Sequence, residues 1–452
     1  MGQRFRIDAC RMVSMNENFE VFFDIDGTVE WIRSCSYKRV ALQFPDIYLS
    51  ISVDVANLIE IRSDSKTFIV ADSSYRSCCV DEITAQHANV DCIVHYGEAC
   101  LSKRTGNLPV RYVFGNSAID FSSFKSKLCQ YEADLTGKCV LLYDTQYANL
   151  AEAIIDCIKT SLCHVELIHL NLMIEKNGSD SSSVSLARHI PSDFHNYSFL
   201  TVIFVGDEDS AILPLWLLTH VNCSKVFTYF PKTGDASLSC SNATQHLRKR
   251  LFLIEKIRDA TTIGLVVGTI DTLGHREVVK RMRKLCRAAG KKLYVFSIGK
   301  VNEAKISNFA NDIDIFVIIS CPLGVILDKR NYIRPLVSLF EAEIALNDYH
   351  DWSCGKGWTA EFSNFVNDAI EVNGLKEPDI SMITGRLRTN GCDEVDESSN
   401  YCRDICSYVA GNHFGTRSWK GLDDVSTGME TLQLQEGRSG IASGYNIEPV
   451  DA

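Results

Sequence analysis

Lys66-Thr-Phe-Ile-Val70 runs directly into Ala71-Asp-Ser-Ser-Tyr-Arg-Ser-Cys-Cys-Val-Asp-Glu82, and the join between them decides the fold. The first five residues are a short β-branched and aromatic run, the pattern of a buried strand. Asp72, Ser73 and Ser74 break that pattern. Cys78 and Cys79 therefore stand in a loop just past the carboxyl end of a strand. In open α/β sheets that edge is where ligands bind. Two adjacent thiols there are either core packing or ligands.

Working outward, strands alternate with helices. Arg39–Phe44 reads as a strand, followed by an amphipathic helix around Leu49–Ile61. A helix over Asp81–Ala88 leads to strand Asp91–His95 and a second cysteine loop, Tyr96-Gly-Glu-Ala-Cys-Leu-Ser102; strand Val110–Phe114 closes the unit. The rhythm restarts with strand Lys138–Tyr143, helix Ala148–Leu162 and strands Val165–Leu170, Phe199–Val205 and Lys225–Phe230. Residues 174–198 are Ser-rich and polar, the composition of a surface insertion. Leu247–Ala260 reads as a charged bridging helix. The third unit has strands Thr262–Thr269, Lys292–Ser297 and Ile313–Ser320, the last ending on Cys321-Pro-Leu-Gly324. Its helices are His275–Ala289, stopped by Gly290, then Asn302–Ala310 and Pro335–Leu346. The pattern predicts an α/β fold of three similar domains, each a small parallel sheet flanked by helices. The expected boundaries are 1–130, 131–255 and 256–385, with a polar tail over 386–452.

The 46 basic and 57 acidic residues give a net charge of −11, which disfavours a general nucleic-acid surface. The basic runs Arg248–Arg250 and Lys280–Lys284 fall in helical patterns and read as solvated faces. The N-terminus lacks a signal-peptide core, Arg6 spoils a myristoylation motif at Gly2, and the apolar run Ile313–Leu327 is too short to cross a bilayer. The expectation is a cytoplasmic protein without a membrane anchor. In that compartment 18 cysteines are free thiols or metal ligands. No Cys-x-x-Cys pair occurs, and Cys402 and Cys406 in the tail have no companions to complete a zinc site.

One short motif points elsewhere. Val21-Phe-Phe-Asp-Ile-Asp-Gly-Thr-Val29 resembles the first motif of haloacid-dehalogenase-type phosphatases, with Asp24 as nucleophile and Asp26 as general acid/base. The competing reading, an acidic turn before a helix, is preferred. The next strand follows about ten residues later, leaving little room for a crossover helix, and no later Lys and paired Asp complete such a site.

Taken together, Val40-Ala-Leu-Gln-Phe-Pro-Asp46, Asp72–Asp81, Val94-His-Tyr-Gly-Glu-Ala-Cys-Leu-Ser102, Ile319-Ser-Cys-Pro-Leu-Gly324 and Pro378-Asp-Ile-Ser-Met-Ile-Thr-Gly385 resemble the family of diphthamide biosynthesis proteins 1 and 2. The Cys-Pro-Leu-Gly wording, Arg417-Ser-Trp-Lys-Gly-Leu422 and Arg438-Ser-Gly-Ile-Ala442 resemble its subunit 2 branch. The resemblance implies three α/β domains around a cleft where cysteines hold a [4Fe–4S] cluster. It implies a complex that uses S-adenosylmethionine to place a 3-amino-3-carboxypropyl group on a histidine of translation elongation factor 2. It further implies pairing with diphthamide biosynthesis protein 1, which carries the chemistry, and electrons from diphthamide biosynthesis protein 3. On this reading the chain keeps its partner's cluster reduced and is not catalytic alone. The alternative within the family is a subunit that itself cleaves S-adenosylmethionine.

The expected iron ligands are Cys321, Cys100 and the pair Cys78 and Cys79. By the resemblance Cys78 aligns best with the single cysteine that the family's archaeal members have at this place, but Cys79 is as well placed. The middle unit departs from the catalytic pattern: Gly206-Asp-Glu and Pro231-Lys-Thr-Gly carry no cysteine, and Cys139, Cys157, Cys163, Cys223 and Cys240 have no motif around them. His95 reads as a buried histidine satisfied by backbone, Asp81 and Glu82 as first-turn residues of a helix, and Gly264 with Gly268 as an incomplete nucleotide fingerprint.

Overall fold

The computed structural model describes residues 19–70, 76–115, 117–173, 184–191, 194, 197, 199–240, 243–270, 272–325, 332–349, 358–371, 379–385, 387–388, 440–441 and 444–445. The chain divides into two compact units, Met1–Cys392 and Asp393–Ala452. Gly2, Asp72–Tyr75, Pro378, Cys402, Cys406, the 417–422 element and the flanks of Gly440–Ile441 lie outside the described residues.

The first unit opens with α1 (Phe19–Phe22) and α2 (Ile25–Ser34). Then come β1 (Arg39–Gln43), a 3-10 turn over Asp46–Ile51, α3 (Ser52–Ser63), β2 (Lys66–Val70), α4 (Glu82–His87), β3 (Cys92–Tyr96) and β4 (Val110–Val113). The strands form one wholly parallel sheet ordered β2-β1-β3-β4. β1 and β3 are central and apolar on both faces, as expected of strands sandwiched between helices.

The second sheet follows α5 (Phe121–Gln130). It comprises β5 (Lys138–Tyr143), α6 (Ala151–Ser161), β6 (Glu166–His169), the small hairpin β7 (Val184–Ser185) and β8 (Arg188–His189), β9 (Leu200–Val205), α7 (Ile212–Thr219), β10 (Cys223–Phe230) and β11 (Asp235–Cys240). Its order is β11-β10-β9-β5-β6, with the hairpin outside it and only β11 antiparallel. The hairpin stretch is not the surface insertion that its composition suggests. Leu186, Ile190 and Phe194 are buried in the core, and Arg188 is buried beside them.

α8 (Ala243–Asp259) leads to the third sheet, built from β12 (Thr262–Val267), α9 (His275–Ala288), β13 (Lys292–Ser297), α10 (Glu303–Ser307), β14 (Ile315–Ile319), β15 (Leu336–Ser338) and α11 (Leu339–Leu346). It is parallel throughout, ordered β13-β12-β14-β15. On α9, Val278, Met282 and Leu285 form the buried stripe. Beyond its end Gly290 takes φ 66, and Lys291 N donates to Cys286 O at 2.8 Å, the left-handed close that glycine makes cheap. Ser338 caps α11 through a reciprocal box with Glu341, which is why a strand and then a helix replace the single expected helix.

The basic runs also correct an expectation. Arg250 is 1% exposed and pairs with Glu341 at 3.1 Å, and Arg281 is 7% exposed and pairs with Glu343 at 2.5 Å. Both acids lie on buried α11, so the two arginines face the core and the solvated-face reading holds only for their neighbours. Among the described residues, no helix is long and apolar enough to cross a membrane. In the second unit the described residues form one hairpin, β18 (Gly440–Ile441) with β19 (Gly444–Tyr445), after the β16 (Asp379–Ile380) and β17 (Leu387–Arg388) pair of the first unit.

Candidate functional site

β1 ends on Gln43, a polar residue 2% exposed at the close of an apolar strand. Both ends of its amide are used. Nε2 donates to Cys79 O at 2.7 Å, and Oε1 accepts from Asp81 N at 2.9 Å. One side chain thus fixes the backbone on both sides of Val80. The turn is closed by Cys79 N donating to Arg76 O, and Cys100 N donates to Cys78 O at 2.9 Å, joining the loops after β2 and β3. Asp81 caps α4 by accepting from Thr84 N at 2.9 Å, as expected of a first-turn acid. Glu82 does more than that reading allows. It is 2% exposed, pairs with Arg104 at 3.0 Å and accepts from Asn107 N and Leu108 N, holding the return loop to β4.

That return loop docks on the third sheet. Arg104 bridges Thr272, and Leu273 N donates to Lys103 O at 2.9 Å. Cys321 follows β14 and opens the turn Pro322–Gly324, with Gly324 N donating to Cys321 O at 2.8 Å. The result is a meeting of four thiols. Cys78 Sγ lies 3.6 Å from Cys321 Sγ, Cys79 Sγ lies 3.9 Å from Cys100 Sγ, and all four sulfurs lie within 4.8 Å of one another. Cys78, Cys79 and Cys321 are buried, and Cys100 is partly so.

The thiols perturb each other. Hydrogen bonding with Cys321, then with Cys78 and Cys79, holds the Cys100 thiol well below the ordinary range. The thiols of Cys78 and Cys79 are pushed well up, first by their hydrogen bonds to Cys100, then by those to Cys321, with burial adding to the rise. Four soft donors without a carboxylate or imidazole suit zinc or an iron–sulfur centre. In the adjoining cavity, lined also by Thr269 and Thr272, the Thr269 hydroxyl is buried without a partner, leaving a donor for a sulfur ligand. The residues present therefore fit such a group.

Other sites fare differently. The first expected phosphatase aspartate, Asp24, does not follow a strand. Val21 and Phe22 lie in α1, and Asp24 has φ 45 at the start of α2, where it pairs with Arg111 at 2.6 Å. Asp26 points outward on α2 and pairs with Arg62. This arrangement sets the phosphatase reading aside. His95 is buried, with Nε2 3.2 Å from Glu98 O, and burial lowers its pKa. Cys139 and Cys223 lie within the second sheet's strands, where burial pushes each thiol up to about 12.

At the carboxyl edge of the second sheet stand charges. Asp144 accepts from Asp207 N at 2.7 Å and Ser210 Oγ at 2.5 Å, and burial raises its carboxyl to about 6. Arg188 donates to Tyr143 O and Leu186 O, and burial lowers its guanidinium to about 10. Both line a cavity shared with Glu98, Cys100 and Pro322. Asp144 and Arg188 escape motif reading; Gln43 and Glu82 fall in quoted stretches, but their roles in holding the loops do not show there, and only Gln43 leaves a trace, as a polar residue closing an apolar run.

The family model described as putative diphthamide synthesis protein matches residues 44–358. A protein of Caenorhabditis elegans named 2-(3-amino-3-carboxypropyl)histidine synthase subunit 2 is 42% identical over 94% of this chain and 91% of its own length. The Xenopus laevis protein of that name is 32% identical over 94% and 92%. Among solved structures, Dph2 from Pyrococcus horikoshii aligns with TM-score 0.57 at 18% identity over 74% of this chain and 93% of its own. The same protein with a 4Fe-4S cluster gives 0.56 at 18% over 75% and 95%. At that identity the structures speak for the fold. With the family match and relatives alike over nearly the whole length, this chain belongs to the diphthamide synthesis protein family, within which it is similar to the subunit 2 members.

Proposed function

We propose that this chain is the [4Fe–4S] subunit of the 3-amino-3-carboxypropyl transferase that modifies a histidine of translation elongation factor 2. The supporting observation is the convergence of Cys78, Cys79, Cys100 and Cys321 from two sheets, in a protein whose fold resembles a Dph2 solved with that cluster. Cys321, Cys100 and the Cys78/Cys79 pair hold the cluster. Gln43 and the Cys100–Cys78 backbone bond keep the first three thiols in place. When bound, the cluster supplies one-electron transfer. Its setting within three α/β domains, 1–130, 131–255 and 256–385, with a tail over 386–452, follows the sheet pattern.

The second sheet brings no thiol to the site, so the reading favours a reductive role over autonomous chemistry. On it the chain pairs with diphthamide biosynthesis protein 1 in the cytoplasm, receives electrons from diphthamide biosynthesis protein 3 and keeps the partner's cluster reduced, the partner using S-adenosylmethionine. The alternative, a subunit that cleaves S-adenosylmethionine itself, draws on the charged cavity beside Cys100.

Anaerobic reconstitution with iron and sulfide tests both. The wild type is expected to bind close to four irons per chain with a broad absorption near 400 nm, on the order expected of such clusters. Cys321→Ala is expected to lose most of it. An iron-free wild type sinks the proposal, whereas cleavage of S-adenosylmethionine without partner promotes the alternative.

A further inference from the structure

Arg76 begins the cysteine turn, and its side chain crosses to another sheet. A Cβ on Gly324 would meet Arg76 Cδ at 2.7 Å and Nε at 3.3 Å, besides colliding with Ser320 Oγ. The arginine from the first sheet's loop is therefore laid across the Cys321–Gly324 turn of the third, and the absence of a side chain at Gly324 is what makes room for it. Its carbonyl accepts from Cys79 N, so the backbone under it is part of the thiol turn. The residue is exposed on its outer side while Cys78 and Cys321 beneath it are buried. An arginine guanidinium is a permanent cation, and this one hydrogen-bonds to Cys78 and interacts with the sulfurs of Cys321 and Cys79. Glu98 is the acid that this charge also reaches.

A cluster bound by thiolates is anionic, and reduction adds one more negative charge. A fixed cation against those sulfurs stabilises the reduced form more than the oxidised one. We propose that Arg76 is a potential-setting residue, a cation held over the thiol site by Gly324 that raises the reduction potential of the cluster bound there. This rests on the cluster reading above and deepens it: Arg76 touches the site without being a ligand, and Gly324 serves it by leaving space.

The experiment is a dye-mediated redox titration of the reconstituted full chain, followed by electron paramagnetic resonance. Arg76→Ala and Arg76→Gln are expected to lower the reduced-to-oxidised ratio about tenfold at the wild-type midpoint, ~59 mV for one electron. Arg76→Lys is expected to keep most of the wild-type potential. Gly324→Ala, which evicts the side chain without removing it, should shift the midpoint in the same direction, and adding it to Arg76→Ala should shift it no further. Midpoints of Arg76→Ala and Arg76→Gln equal to wild type overturn the inference, as does a Gly324→Ala shift that adds in full to that of Arg76→Ala. An iron-free wild type overturns the cluster reading and this inference with it; an iron-loaded wild type indifferent to Arg76 overturns this one alone.

Discussion

The carboxyl edges of the first and third sheets carry thiols, while the same edge of the second carries Asp144, Asp207 and Arg188. All three sheets are mainly parallel, so all three gather the loops that follow their strands at one edge. The scaffold is therefore common and the donors are not. Thiols on two edges give a set of soft donors whose protons a metal would displace. Acids and an arginine on the third give a preset polar wall beside it. A site built this way sets soft, metal-suited donors beside hard, charged ones.

The largest test of that contrast compares thiols by place. Replacing Cys78 and Cys79 together by Ala should remove nearly all iron after reconstitution. Cys139→Ala, inside the second sheet, should leave iron content unchanged and cost about 1 kcal/mol of stability. Equal iron in both variants would break the distinction between edge thiols and packing thiols. Next in size is Gln43→Ala. Losing both amide contacts leaves Cys79 O and Asp81 N unpaired in a buried turn, an expected cost of about 2 kcal/mol by urea unfolding. Faster loss of iron to a chelator should accompany it, and an unchanged release rate would show that the turn holds itself.

The smallest effect concerns the charged edge. Burial raises the carboxyl of Asp144 from its ordinary 3.8 to about 6 in the folded chain. A raised pKa means the folded state binds the extra proton, so the contribution is present below pH 3.8 and is lost as pH rises through about 6. Across that window the wild type should lose roughly 3 kcal/mol relative to Asp144→Asn. Parallel stability curves for the two proteins would mean that the wall is wetter than its geometry implies.

Much of this could be read from residue order. The βα rhythm marks the strands because central parallel strands are apolar on both faces, and the cysteine loops stand out because they follow those strands directly. Gln43 was harder, since its role depends on two backbone groups 36 and 38 residues away. Arg250 and Arg281 were misread for a general reason: a basic run on a helix looks the same whether water or a buried glutamate faces it. Phe194 and Leu186 hide in a Ser-rich stretch because local composition does not report on which residues another sheet will cover.

The fourth thiol also has a consequence in time. Cys78 and Cys321 are 243 residues apart in the chain, while the other three cysteines fall within one short stretch near the beginning. A ribosome delivering the chain at several residues per second exposes three sulfurs well before the last one exists. Closing so long a span costs only a slowly growing entropy, so distance alone does not forbid the contact, but it does postpone it. The meeting of four thiols is thereby completed only after synthesis of β14, and a chain interrupted before that point presents an unfinished nest of thiols.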